Sequence, residues 1–540
     1  MATFSQSGFW RGGNTLKVSM ELFSKNRQRL CESLSSHPTL PSRALIILQG
    51  GMAETRNCTD HEPIFRQESF FHWCFGVIEP DFLGAIDVAT GKSILFIPRL
   101  PESYVSWMGR IKEPNEFKTI YDVDFVYYTD EIENVLSHFQ PTSVNDQQAQ
   151  SKSITHQLPL LLVLHGLNTD SGNHCKQAHF NGIEKFHVDT TTLHPVISEC
   201  RVIKTDLELE VLAYTNKISS EAHKFVMLHI KPGMYEYELE ALFQYYCYRY
   251  GGMRHLSYTC ICASGENSAV LHYGHAGAPN DRQLKDTDLC LFDMGGEYYC
   301  YASDITCSFP VSGHFTREQR IVYEAVLDAN RHVMESVRPG VSWVDMHLLA
   351  ERVQLQHLLK AGLLEGNIND MMKVRLCAIF MPHGLGHMIG IDTHDVAGYL
   401  DPTTRIQLPG LKSLRTNRNL KEGMCLTIEP GIYFNELLLN KAYSDPEQAK
   451  FLIKSELDKY LGMGGVRIED NIVVTKDGCR LLTQVPRTCE EIEQWMKNKH
   501  EKLNVDDYKK FCELNGKYRY DNQQLKVNKI KDNVSCNGDK

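Results

Sequence analysis

Short apolar runs alternate with polar and helical stretches over residues 1–195. ALIILQG (44–50), GAIDVAT (84–90), LFIP (95–98) and LLLVLHG (160–166) read as strands. The last is apolar throughout, as a strand covered on both faces would be. The alternation predicts an α/β N-terminal domain. Thr142 to Gln157 is rich in Ser, Gln and Asn and has no periodicity, so it is expected to be a surface insert.

The pattern breaks near His194-Pro195. From there Leu207, Val211, Leu212, Tyr214 and Ile218 recur at helical spacing behind Thr205 or Asp206 as a cap. A second amphipathic helix is predicted from Tyr235 to Tyr248, and two long ones over 316–336 and 344–362. SYTCICA, DLCLFDMG, YYCYASDI, CLTIEPGIY and RIEDNIVVT read as strands, which makes residues 196–497 a mixed α+β domain. Residues 498–540 are charged and poor in core formers. They are expected to be a mobile tail, with a weak helix around Val505 to Leu514.

Composition narrows the class. The 540 residues are 42% hydrophobic and 23% charged, as in a well-packed globular protein. A net charge of -10 supplies no basic footprint for nucleic acid. No N-terminal apolar segment has the form of a signal peptide, and no run is long enough to span a bilayer. The seventeen cysteines follow no repeating spacing, and the expectation is reduced thiols in a cytoplasmic protein. Cys260 and Cys262 share a strand face and read as core thiols, and Asn57-Cys58-Thr59 reads as an unused sequon.

The chemistry lies in the second domain. Asp293 (LFDMGG), Asp304 (YASDIT), His387 (HGLGHMIG), Glu429 (TIEPGIY) and Glu469 (GGVRIED) are four carboxylates and one imidazole. Such mostly hard donors suit manganese-like cations better than a thiolate-rich zinc site does. Two adjacent dications can share carboxylates and make a nucleophile of the water between them. Taken singly each residue has a plainer reading. Asp293 and Asp304 as a pair are most simply structural; a short hairpin turning at Gly295-Gly296 could set them on neighbouring strands. His387 alone reads as a core histidine, though His383 and the His394-Asp395 pair make a denser cluster. Arg467 and Glu469 share a strand face, so Arg467 is expected both to form an internal salt bridge and to orient a ligand. Five acceptors in five ordered strings together favour a metal site.

Those strings, in this order, resemble the pita-bread metallopeptidases, the group of methionine aminopeptidase, aminopeptidase P, creatinase and prolidase. The likeness is fullest to the eukaryotic prolidase (Xaa-Pro dipeptidase) branch. It runs over residues 8 to 495, through FFHWCFGV, NTDSG, RVIKTDLELE, GGMRHLSYTCIC and SGENSAVLHYGHAGAPND. The resemblance implies a creatinase/prolidase-type α/β N-terminal domain before a pita-bread catalytic domain. It implies two Mn2+ per subunit, with Asp293 on one metal, Asp304 and Glu469 bridging, and His387 and Glu429 on the other. Glu429 would also be the general base. His272 and His394 would contact substrate and the developing oxyanion, and Tyr258 and Ile261 would line the pocket. Arg415, which by itself reads as a solvated charge beside Arg418, would clamp the free carboxylate of an Xaa-Pro or Xaa-hydroxyproline dipeptide. A homodimer is implied, with the loop of Trp107 reaching over the partner's site. The alternatives are an aminopeptidase acting on longer peptides before proline and an inactive pita-bread interaction module.

Overall fold

The computed structural model describes residues 7–38, 40–139, 158–400 and 404–500. The insert at 142–157 and residues 501–540 of the tail, with the helix expected around Val505 to Leu514, lie outside the described residues. The described residues up to Lys497 gather into one compact unit.

The four predicted N-terminal strands form the centre of a mixed six-stranded sheet. Its order is 125–128, 93–97, 83–87, 44–49, 160–163 and 187–189. Ala44–Gln49 is antiparallel to Leu83–Asp87 and parallel to Leu160–Val163, with Ile46 opposite Leu162. Leu45, Ile47, Ala85, Ile94, Phe96, Leu161 and Val163 are buried together on this sheet. Alternating β-branched and leucine side chains on neighbouring strands interlock there and fix the register.

The break expected near His194-Pro195 falls within the helix Leu193–Val202, and after it come the helices Asp206–His229, Glu236–Gly251, Arg317–Ser336 and Trp343–Lys360, close to the spans expected from periodicity. Thr205, not Asp206, caps the helix Asp206–His229. Its hydroxyl accepts from Glu208 N while Glu208 reaches back to the Thr205 amide. Glu208 also accepts from Trp73 Nε1 of the N-terminal domain at 2.9 Å, so one side chain caps a helix and joins two domains.

Small antiparallel sheets carry the rest. Leu289–Asp293 lies between Ile261–Ser264 and Thr306–Pro310, with Asp293 opposite both Ile261 and Thr306. Cys425–Ile428 pairs with Asp470–Val474, and Gly431–Tyr433 pairs with Gly465–Arg467. Both long runs, CLTIEPGIY and RIEDNIVVT, are therefore broken, and Glu429 and Glu469 stand at the breaks. Val333, Trp343, Leu385, Met388, Leu426, Ile428 and Ile472 pack under this side.

One expected strand is absent. YYCYASDI makes a tight reversal at Tyr299-Cys300 instead, with φ of 52° and 65°, closed by mutual backbone hydrogen bonds of Tyr298 and Tyr301 at 3.0 and 3.1 Å. Two left-handed residues make the narrowest hairpin, and glycine or asparagine is usual there. Here Phe9 stacks on Tyr299 at 3.9 Å and the Tyr299 hydroxyl donates to Gly76 O, contacts that hold the strained turn. The reversal is therefore not at Gly295-Gly296, and Asp304 enters from the loop just before the strand Thr306–Pro310.

Candidate metal centre

The five acidic and histidine positions converge from five chain segments. Asp293 closes the central strand. Its Oδ1 accepts from the Tyr258 hydroxyl and its Oδ2 from Arg467 Nη2 at 2.6 Å. The backbone carbonyl of Asp304 accepts from Asn471 Nδ2, which fixes the loop before its strand. Glu469 Oε2 accepts from the Thr306 hydroxyl at 2.7 Å. Arg487 secures the backbone behind them, donating to Thr306 O at 2.7 Å and to Glu469 O.

His387 is held at its amide and at one ring nitrogen. Its amide donates to Thr427 Oγ1 at 3.0 Å, and its Nδ1 lies 3.0 Å from Met388 O. A carbonyl only accepts, so Nδ1 carries the proton and Nε2 presents a lone pair, as a metal ligand requires. That Nε2 faces Asp304 Oδ2 at 3.4 Å and Glu429 Oε1 at 3.3 Å. Gly386 makes the approach possible, because a Cβ there would stand 2.1 Å from Thr427 O. The Thr427 hydroxyl in turn donates to Glu429 Oε1 at 3.1 Å.

Three overlapping donor groups result: Asp293, Asp304 and Glu469; His387, Glu429 and Glu469; and Asp304, His387 and His394. Within each, the ligand atoms lie within 4.8 Å of one another. Asp304 Oδ1 and Glu469 Oε1 are buried with no hydrogen-bond partner. Buried carboxylate oxygens are rarely left so, and a cation is the partner that satisfies them. Two groups sharing Glu469 fit a pair of neighbouring hard divalent ions.

Electrostatics agree with a cation-shaped gap. Burial, and then the Asp304 carboxylate, lift Glu429 to about 8. Burial first and the neighbouring carboxylates second also raise Asp293 and Glu469, against the pull of Arg467, and burial raises Asp304. Burial lowers His387 to about 4 and keeps it neutral. The metal-free cluster therefore holds protons where metal charge would otherwise stand.

All ten residues singled out from the sequence line one cavity of about 490 Å³: Tyr258, Ile261, His272, Asp293, Asp304, His387, His394, Arg415, Glu429 and Glu469. His394 lies edge-on to His387 with ring centroids 4.5 Å apart. Its loop is anchored by the neighbouring Asp395, which pairs with Arg201 at 2.7 Å and Lys204 at 2.8 Å. Burial first depresses both His272 and His394; the Arg467 and Arg415 guanidiniums add to it at His272, and the neighbouring His387 ring and then Arg415 add to it at His394. Cys260 and Cys262 are fully buried, their thiols pushed far up by burial, and stand in none of the donor groups. Trp107 is 86% exposed in the short helix Val105–Met108.

Two residues that the sequence left without a role also reach the site. His383 lines the cavity, its Nε2 accepting from the Tyr433 hydroxyl at 2.9 Å, which accepts from Arg467 Nη1 at 2.9 Å. The four-residue spacing to His387 was its signal. Asp170, in the N-terminal NTDSG string, pairs with Arg415 at 3.1 Å. The NTDSG string counts toward the resemblance, but nothing in it gives Asp170 a role.

Comparison with known proteins places the arrangement. The pattern of the Aminopeptidase P, N-terminal domain matches residues 23–145, and that of Metallopeptidase family M24 matches residues 210–476. Human Xaa-Pro dipeptidase is 57% identical over 496 residues, 92% of this chain and 97% of that protein. A probable Xaa-Pro aminopeptidase of Verticillium alfalfae is 36% identical over 84% of this chain and 93% of its own length. Zinc-substituted E. coli aminopeptidase P in complex with product superposes with a TM-score of 0.70 at 28% identity, covering 90% of this chain and all of that one. The two-domain fold expected from the sequence is thus the one found, and the chain belongs to metallopeptidase family M24, with an aminopeptidase P-type domain ahead of its pita-bread metallopeptidase domain.

Proposed function

We propose that this enzyme hydrolyses Xaa-Pro dipeptides, Xaa-hydroxyproline included, with two manganese ions held by Asp293, Asp304, His387, Glu429 and Glu469. The observation that carries the reading is the Arg415 guanidinium in the same cavity as the acidic cluster. A planar fork matches a carboxylate. One placed a residue beyond the scissile bond favours a free dipeptide over a longer chain. The identity to a Xaa-Pro dipeptidase supports the same choice.

Divalent cations bound there supply charge stabilisation and a nucleophilic water near neutral pH. The protein groups do the rest. Glu429, held by the Thr427 hydroxyl, takes the proton of the attacking water and passes it to the proline nitrogen as the bond breaks. His272 and His394, neutral over the working range, donate to the oxygen on which negative charge develops. Tyr258 and Ile261 bound the space for the side chains. A bond to proline has no amide hydrogen, so a site that holds its substrate by the carboxylate and the carbonyl oxygen loses nothing there.

The test compares Gly-Pro with Gly-Pro-Pro on metal-loaded protein, with metal analysis of the same sample. Rapid turnover of Gly-Pro and little of the tripeptide is expected. Equal turnover would make the enzyme an aminopeptidase, and none on either would leave an interaction module. Glu429→Gln should lower kcat by at least about 100-fold while the fold is kept. The same reading makes the chain a cytoplasmic homodimer with the Trp107 segment at the contact, so sedimentation should give twice the chain mass.

A further inference from the structure

The loop Leu167–His174 of the N-terminal domain ends beside the metallopeptidase cavity. It is a closed turn rather than a loose excursion. Asn168 Oδ1 accepts from the amides of Asp170 at 2.9 Å and Ser171 at 3.0 Å, and Asn168 N donates to Asn173 O at 2.8 Å. An asparagine that closes its own turn fixes the direction in which the next residues point. Asp170 is thereby presented to two guanidiniums of the other domain. Its Oδ1 pairs with Arg405 Nη2, and its Oδ2 lies 3.1 Å from Arg415 Nη1.

Arg405 is itself fixed. Its Nη1 donates to Leu414 O at 2.8 Å and its guanidinium lies 4.5 Å from the centre of the Tyr399 ring. Arg415 is not, apart from Asp170: Nε and Nη2 have no protein partner among the described residues. One edge of the fork is thus pinned and the other is left toward the cavity that it lines. Two guanidiniums against one carboxylate leave a net charge of +1, which a second carboxylate would neutralise.

We infer that Asp170, reaching across from the N-terminal domain, is a positioning residue that holds Arg415 in the orientation that receives the free carboxylate of the substrate, while Arg405 offsets its charge so that the clamp stays positive. This rests on the reading of Arg415 as the carboxylate clamp. A long side chain that is already ordered loses less freedom when the ligand arrives, so the ion pair acts through binding and not through the chemical step. It also makes the N-terminal domain part of the specificity of the site.

The experiment uses the full-length, metal-loaded enzyme with Gly-Pro and with Gly-Pro amide, which has no carboxylate. Arg415→Gln tests the clamp: KM for Gly-Pro should rise while the amide is unaffected. Asp170→Asn keeps the size and removes the charge. It should raise KM for Gly-Pro by about fivefold or more, leave kcat within about twofold, and leave kcat/KM for the amide unchanged. A general loss of folding would instead lower activity on both substrates. Should Asp170→Asn lower the melting temperature, Arg405→Gln carries the same test. It lets Asp170 neutralise Arg415 alone, and KM for Gly-Pro should again rise. If Arg415→Gln raises KM but Asp170→Asn and Arg405→Gln do not, the positioning role is overturned and the clamp stands. A lower KM in Asp170→Asn would make Asp170 a competitor for the clamp and overturn it equally. No change in Arg415→Gln would remove the clamp reading itself.

Discussion

Arg467 Nη2 stands 2.6 Å from Asp293 Oδ2, and both residues are buried. The same guanidinium donates through Nε to Thr306 Oγ1 at 3.1 Å and through Nη1 to the Tyr433 hydroxyl at 2.9 Å. One cation therefore ties the strand Gly465–Arg467 to the central strand and to the residue opposite it. It lies among the carboxylates of the cluster and orients Asp293.

Replacing it should damage metal binding before anything else. Arg467→Gln is expected to weaken metal affinity by about 10- to 100-fold, the range for residues that orient ligands. It should also destabilise the metal-free protein by about 3 kcal/mol or more, since a buried carboxylate loses its partner. Isothermal titration with Mn2+ and a denaturant melt separate the two effects. Unchanged affinity would leave Arg467 a purely structural ion pair.

The raised pKa of Glu429 predicts how metal-free stability varies with pH. A carboxyl that ordinarily titrates near 4.5 and is lifted to about 8 in the fold binds more protons folded than unfolded throughout that interval. Stability therefore falls as pH rises through it. The buried histidines His383, His387 and His394 are depressed and contribute with the opposite sign, but only below their unfolded value of 6.5. The clean window is thus from about pH 7 to 8.5. There the melting temperature of the chelated protein should drop, and added Mn2+ should raise it more at the upper end. A flat profile for the chelated protein would contradict the proton-holding cluster.

Gly295 is the more closely packed of the two glycines between the aspartates. A Cβ there would lie 1.8 Å from Ser303 O, and backbone cannot give way as a flexible side chain can. Gly295→Ala should cost about 2 kcal/mol or more and separate Asp293 from Asp304. Its signature is a lost melting temperature that excess metal does not restore.

Thr427 serves two ligands with one hydroxyl, accepting from His387 N and donating to Glu429 Oε1. Thr427→Val keeps the shape and strands a buried amide. A loss of about 1–2 kcal/mol is expected, together with weaker metal binding. Restoration of both by Thr427→Ser would show that the hydroxyl, not the methyl, is responsible.

The order of elements was legible because burial writes itself into sequence periodicity. The four N-terminal strands appear where apolar runs stand, and the helices Asp206–His229 and Arg317–Ser336 start at threonines with capping boxes that can be read directly. The breaks were not legible. Glu429 and Glu469 lie inside runs that look like single strands, and only pairing with different partners on either side divides them. The reversal at Tyr299-Cys300 carries no glycine, because its strain is met by Phe9, almost 300 residues earlier in the chain.

The local strings by themselves determined which residue types are available: four acids, a histidine beside glycines, and an arginine, each in a segment whose pattern fixes strand, helix or turn. Short-range forces act between neighbours in sequence, so neighbours suffice to read them. The tertiary structure decided what those residues face. It turned Arg467 toward Asp293, left Asp304 Oδ1 and Glu469 Oε1 without partners, and brought Asp170 of one domain to Arg415 of the other. Charges a few ångströms apart across buried space set each other's protonation and orientation whatever their separation along the chain, and that distance exists only once the chain has folded.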